Sequence, residues 1–255
     1  WLFRDDCKFI TLNICPFDTI KMDAEPLLCD AKAGLDALDQ GLEGYRSGWD
    51  EAALKATRQA WLNKVEEFYD DRRPQGLSQT RALGIINRFM QKSDIAMGAA
   101  GSLPGDMQRL WQSGDSGTYH MEYGFSNMGY ETNGALGVKL AAPEREVYSF
   151  FGDGTYLMAH SELLTCVQEN LRVHFCLFDN SGWGCIENLQ NNQGCDTFGT
   201  VFRRRNPETG ELDGPVLPVD FAANARSYGL LAFTIRTEEE LLSALEAGRN
   251  QPLPV

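Results

Sequence analysis

A chain of 255 residues, 43% hydrophobic and 23% charged, has the composition of an ordinary soluble globular protein and can bury one large or two ordinary cores. Its formal net charge of −13 leaves no extended basic face, which excludes nucleic acid and acidic membrane surfaces as partners. The seven cysteines are scattered singly without a Cys-x-x-Cys pair, against a disulfide framework or zinc site, and no run reaches the ~18 apolar residues of a membrane span, so a reducing, cytoplasmic setting is expected.

Residues 8–14 are predicted as a strand, 15–18 as a turn, 26–30 as a second apolar segment capped by Asp30, and 31–42 as a helix with Ala31, Leu35, Leu38 and Leu42 on one face. Residues 50–69 fit one helix with Asp50 as N-cap and Leu54, Trp61 and Val65 on its apolar side, stopped by Arg72-Arg73-Pro74. A helix over 78–90, with Leu83, Ile86 and Met90 inward, precedes a strand over 94–99 and a loop over 100–106, where Gly101 lets backbone approach a ligand closely. A loop over 123–130 then leads into a helix over 131–142, whose Gly134, Ala135, Gly137 and Ala141 let it lie close to a sheet.

Val147-Tyr148-Ser149-Phe150-Phe151 has the β-branched and aromatic content of a buried strand, and Gly152-Asp153-Gly154 breaks it. Leu157, Met158, Leu163, Leu164 and Val167 fall on helical spacing, and a second apolar run, 173–178, ends in Asp179-Asn180-Ser181-Gly182. Such a strand, helix, strand unit is right-handed with parallel strands, so Asp153 and Asn180 emerge on one edge of the sheet. A carboxylate and a carboxamide there, beside a helix starting near Thr155, supply hard oxygens and unsatisfied N–H groups, the pattern that suits Mg²⁺ on a diphosphate. Two ordinary turns are the plainer alternative.

Past Ile186, 188–199 is rich in Asn, Gln and Gly, and 203–218 has the turn residues of a long loop of lid or binding-loop length. Arg203-Arg204-Arg205 within it reads as a solvated loop, with a cluster that positions an anion as the alternative. A helix over 220–228, a strand over 230–235 and a helix over 238–247 started by Thr237 complete an alternating α/β domain. His120, His160 and His174 share no metal-ligand spacing. His174 is expected to be structural, while His160 could face a cleft.

Gly152-Asp153-Gly154, the spacer 155–178 and Asp179-Asn180 together resemble the cofactor motif of the thiamine diphosphate enzymes, with Asp179 where the first of two asparagines is usual. The resemblance implies that Asp153 and Asn180 ligate Mg²⁺ through side chains and Gly182 through its carbonyl. It also implies that Ser102 and Leu103 meet the diphosphate and that Met128 packs between the cofactor rings. The Ser126 carbonyl, at a position where glycine is usual, would accept from the aminopyrimidine, with Gly154, Thr155 and Trp183 lining the cofactor. The implied architecture is α/β: a parallel sheet with helices on both faces over 76–255, cut short at its C-terminus, a linker helix over 46–75, and the end of a Rossmann-like middle domain over 1–45. Both chain ends look cut.

The segments 119–131 and 179–186, with Ala100-Gly101-Ser102-Leu103-Pro104-Gly105-Asp106, are most similar to the branch of this family that hydrolyses a carbon–carbon bond of trihydroxycyclohexane-1,2-dione in myo-inositol breakdown. On that resemblance His120 and Glu122 would meet substrate hydroxyls. The activating glutamate would come from the pyrimidine-binding domain of a partner subunit in a homo-oligomer, since Glu122, Glu131 and Glu162 match no such motif; the chain by itself is then expected not to turn over. An acetolactate-synthase-like carboligase shares every cofactor contact and is the alternative, as is an inactive cofactor-binding fragment. Phosphatases with Gly-Asp-Gly-x-x-Asp are excluded because Leu157 stands at the second Asp.

Overall fold

The computed structural model describes residues 3–74 and 76–255. Trp1 and Leu2, the start of the segment expected to run into the first strand, and Gln75, the last residue of the expected linker, lie outside them. The chain divides into two compact units, Trp1–Arg58 and Gln59–Val255.

In the first unit β1 (Ile10–Asn13) pairs in parallel with β2 (Glu25–Leu28), and α1 (Pro16–Thr19) and a 3₁₀ turn (Lys21–Asp23) connect them. Helix α2 (Ala31–Gly41) starts at Asp30, whose carboxylate accepts the Lys32 N–H at 2.9 Å. The predicted face of Leu35, Leu38 and Leu42 is exposed. Gly34 is the buried position of this helix, and a Cβ there would stand 2.1 Å from Leu12 and 2.9 Å from Cys29. A pair of strands four residues long offers too little area to cover the leucines as well.

Helix α3 (Glu51–Tyr69) follows, with Val65 and Tyr69 buried but Leu54 and Trp61 exposed, so of the predicted apolar side only Val65 packs. In the second unit come α4 (Gln79–Phe89), β3 (Ile95–Gly98), α5 (Ser102–Leu110), β4 (Tyr119–Met121), α6 (Tyr130–Ala141), β5 (Val147–Gly152), α7 (Asp153–Ala159), α8 (Ser161–Gln168), β6 (His174–Phe178), α9 (Gly184–Asn192), α10 (Phe221–Ser227) and α11 (Glu238–Arg249). The sheet is parallel throughout, in the order β4-β3-β5-β6.

Period-two alternation along β5 feeds the cores on both faces of the sheet. Tyr148 and Phe150 face α4, α5 and α11 with Leu83, Ile86, Leu103, Met107 and Leu245, whereas Val147 and Phe151 face the opposite layer of Ala135, Cys166, Leu163 and Phe221. Tyr69 closes one end by donating to the Leu110 carbonyl at 2.7 Å. Gly84 makes room for it, since a Cβ there would meet the Tyr69 ring at 2.5 Å. Helix α11 begins with a capping box in which Thr237 and Glu240 satisfy each other's backbone N–H. Cys166 and Cys176 fill apolar space, and burial pushes both thiols up to about 12, so neither is reactive.

Several expected boundaries change. Residues 102–106, predicted as loop, are the first turns of α5, and 119–121 add a strand that the alternation had not marked. The helix predicted over 157–167 is two, broken at His160, which leaves Leu157, Met158 and Leu164 exposed. Asn188 and its neighbours close α9 instead of opening a loop. Residues 230–235 form no strand; Leu231 donates to Pro254 at 3.2 Å, and beside β6 Val255 donates to Val173 at 3.0 Å and accepts from Phe175 at 2.7 Å.

At the amino end of the strands Glu146 accepts from both Arg172 and His174, the latter at 2.8 Å, and His174 stacks on Tyr148, a structural role as expected. Burial alone would raise the Glu146 carboxyl, but the His174 and Arg172 hydrogen bonds outweigh it and hold it at about 2, against 4.5 unperturbed. A carboxylate depressed on folding stabilises fully above its unfolded value and loses that contribution as pH falls through its folded one. Melting curves are therefore expected to show Glu146→Gln less stable than wild type above about pH 4.5, with the gap closing toward pH 2.

Candidate functional site

Where the sheet order reverses, at β3 and β5, the carboxyl ends of neighbouring strands open a crevice, the usual ligand position in this architecture. Gly152 ends β5, and Asp153, 1% exposed, begins α7. Its Oδ1 accepts the Gly154 N–H at 2.8 Å, and its Oδ2 accepts those of Asn180 at 3.2 Å and Gly182 at 2.9 Å. The carboxylate thus ties the end of β5 to the loop after β6, as the spacing predicted. Three of its four lone-pair positions are filled, leaving one for a cation. Burial pushes the carboxyl up to about 6; the Gly182 N–H opposes this, neighbouring Asp179 adds to it, and the Gly154 N–H opposes it again.

The Asn180 carboxamide beside it is exposed and makes no hydrogen bond among the described residues, and neither does the Gly182 carbonyl. The loop carrying them is shaped by Ser181 in the left-handed region (φ 61°), with its N–H on the Asp179 carboxylate at 2.8 Å. It is backed by residues 200–202: Trp183 donates to the Thr200 carbonyl and the Phe202 N–H to Ser181, each at 2.7 Å. Gly182 is required there, because a Cβ would stand 2.2 Å from the Thr200 oxygen. Gly154 is required too, because the Trp183 indole lies over it, 2.7 Å from a would-be Cβ, and is propped edge-on by Phe202. Thr155 is buried in the first turn of α7, so this helix starts two residues before the expected point. Arg203 and Arg205 bind the Gly214 and Gly210 carbonyls, stapling the 203–218 excursion.

Across the crevice, Gly101 (φ 94°) caps α5 without a side chain, so the N–H groups of exposed Ser102 and of Leu103 meet no acceptor among the described residues and can take an anion. The Leu103 side chain is core, which leaves its backbone alone for that task. Ser126, in the left-handed region (φ 54°), and Met128 lie on the third loop. Met128 is half-buried but belongs to none of the three hydrophobic cores, and the Ser126 carbonyl accepts no hydrogen bond among the described residues.

The structure binds Glu122 and the histidines into local contacts. Both Glu122 oxygens hold the 122–127 turn by accepting the N–H groups of Phe125 at 2.8 Å and Asn127 at 2.9 Å, which keep its carboxyl below the usual carboxylate range. His120 pairs with the Tyr130 hydroxyl at 2.8 Å, and His160 lies between Tyr156 and Tyr228, bonded to the latter at 2.8 Å. Three contributors went unmarked in the sequence: Thr200 and Phe202, whose only signal was membership of a long loop, and buried Glu131, which joins two of the loops. Among the described residues no three His, Cys, Asp or Glu side chains gather to cage a metal, and no helix is long and apolar enough to cross a membrane.

Residues 99–255 match the family model described as thiamine pyrophosphate enzyme, C-terminal TPP binding domain. The chain is 43% identical over 269 residues to the 3D-(3,5/4)-trihydroxycyclohexane-1,2-dione hydrolase of Geobacillus thermodenitrificans, covering 96% of this chain and 42% of that protein. It is also 43% identical over 281 residues to the hydrolase of the same name from Clostridium tetani, covering 99% and 43%. The chain thus spans about two fifths of the length of these relatives. With the crevice, the Asp153 clamp and a match that covers both, the chain belongs to the thiamine pyrophosphate enzyme family.

Proposed function

We propose that the chain is the diphosphate-binding part of a thiamine diphosphate-dependent hydrolase that cleaves a carbon–carbon bond of a cyclic, polyhydroxylated 1,2-diketone, trihydroxycyclohexane-1,2-dione. The observation that carries this is the buried Asp153 carboxylate with one position free, beside an Asn180 carboxamide that makes no hydrogen bond among the described residues. One carboxylate, one carboxamide and the Gly182 carbonyl make a sparse oxygen set, suited to Mg²⁺ that takes its remaining ligands from phosphate and water. In this proposal Ser102 and Leu103 donate N–H groups to the diphosphate, Gly154, Thr155 and Trp183 wall it, Met128 supports the rings, and the Ser126 carbonyl accepts from the aminopyrimidine.

The bound cofactor supplies an electron sink for the cleaved bond, chemistry no side chain offers. This chain's residues bind and orient it. The activating glutamate belongs to a pyrimidine-binding domain of a partner subunit, so the working form is a homo-oligomer. Residues 1–45 are the end of a middle domain, 46–75 the linker, and 76–255 the diphosphate domain. The 43% identity to hydrolases of this name favours the cyclic diketone over pyruvate. Product analysis of the native full-length protein with thiamine diphosphate and Mg²⁺ tests it: ring opening of the dione to 5-deoxyglucuronate is expected, and acetolactate from pyruvate with an untouched dione would replace the proposal by a carboligase.

A further inference from the structure

The buried residues of helix α6 are Glu131, Thr132, Ala135 and Lys139, and Glu131, whose side chain is fully buried, is the one carboxylate among them. A buried carboxylate is tolerated only where N–H groups replace its water. Oε1 accepts the Ala100 N–H and Oε2 the Gly129 N–H, each at 3.0 Å. Burial pushes the carboxyl up, and these two N–H groups oppose the rise. The Glu131 backbone carbonyl accepts the Ser149 hydroxyl at 2.7 Å, which fixes the residue to the middle of β5. From the same loop the Ser126 hydroxyl donates to the Ala99 carbonyl at 3.2 Å.

The peptide unit between Ala99 and Ala100 is therefore gripped at both ends, its oxygen by Ser126 and its N–H by Glu131. Ala100 sits two residues before Ser102, and Gly129 directly follows Met128. A single side chain joins Ala100, 31 residues before it in sequence, to Gly129. Only a group with two acceptor oxygens fits: a glutamine would turn its NH₂ on one of the N–H groups, and an apolar residue would leave both unpaired. Capping α6 alone would not need this, because Ser, Thr, Asp or Asn at the N-cap serves helix starts without a buried charge.

We propose that Glu131, helped by the Ser126 hydroxyl, is a positioning residue that sets the spacing between the 99–103 turn and the 126–129 turn, so that one thiamine diphosphate meets both at once. This rests on the thiamine diphosphate reading of the site. A ligand that touches both turns feels the clamp, and a ligand confined to the diphosphate end does not. The test is calorimetric titration of the native full-length protein, in Mg²⁺, with thiamine diphosphate and separately with inorganic pyrophosphate.

Glu131→Gln is expected to weaken thiamine diphosphate about 10-fold or more and pyrophosphate less than about 3-fold, the scale of one lost hydrogen bond to a charged group. Equal weakening of the two ligands, or of neither, overturns the proposal, since a merely structural role would not separate them. Should Glu131→Gln fail to fold, Ser126→Ala at an exposed position decides by the same contrast, with a smaller expected loss. Wild-type protein that binds pyrophosphate but not thiamine diphosphate overturns the cofactor reading itself, and the clamp with it.

Discussion

Asp153→Ala is expected to remove Mg²⁺-dependent binding of thiamine diphosphate, with a loss of at least ~100-fold in calorimetric affinity. The effect is large because two things go together. The substitution removes the one carboxylate offered to the metal, and it strands the N–H groups of Gly154, Asn180 and Gly182 that the carboxylate holds. Unpairing buried donors costs about 1–3 kcal/mol each, so the loop that carries Asn180 and Gly182 loosens as its partner ligand is lost. Asp153→Asn separates the two effects. It keeps the shape and one acceptor oxygen, which the Asn180 and Gly182 N–H groups can still share, and turns its NH₂ on the Gly154 N–H alone, so its thermal midpoint is expected to fall less than that of Asp153→Ala while its metal-dependent affinity still falls. Undiminished Mg²⁺-dependent binding in Asp153→Ala would remove Asp153 from the site.

The second large effect is expected from Gly182→Ala. Its new methyl would stand 2.2 Å from the Thr200 carbonyl oxygen and 2.9 Å from the Val201 Cα, both backbone atoms that cannot swing aside as a side chain does. Overpacking of this kind costs about 1–3 kcal/mol. The strand-like contact between 181–183 and 200–202 must part, taking the Gly182 carbonyl and the Trp183 ring with it. A lowered thermal midpoint and a weakened cofactor are expected together. Gly137→Ala is the control, since no atom lies within 4 Å of the added carbon and an exposed helix position gains about 1 kcal/mol from alanine. A Gly182→Ala protein as stable as wild type would mean that residues 200–202 do not back the loop.

Asp153 and Asn180 could be placed together from the sequence because one right-handed crossover leaves no choice of edge for two strand ends. The helix break at His160 could not. Apolar spacing runs through it unbroken, and the break accompanies stacking against Tyr228, 68 residues further on. Residues 230–235 have the composition of a strand, yet a strand needs a ladder of backbone bonds, and among the described residues this segment makes one to an extended neighbour, from Leu231 to Pro254. Glu131 looked idle because its partner amide lies on a different loop, and a long-range hydrogen bond leaves no periodic trace. Leu103 shows the opposite case: its position pointed to the ligand loop, while its side chain belongs to the core.

The three N–H groups on Asp153 also tie the site to the pairing of β5 with β6. Two of them come from residues 27 and 29 positions later, beyond a whole crossover helix and β6. Parallel pairing of that kind closes slowly, because chain entropy is lost before any contact repays it. Until β6 has docked, Asp153 holds only the neighbouring Gly154 N–H, and the Asn180 carboxamide has not been brought beside it. In the proposed reading the diphosphate end of the site exists only once β5 and β6 have paired, so cofactor binding reports that this pairing has formed.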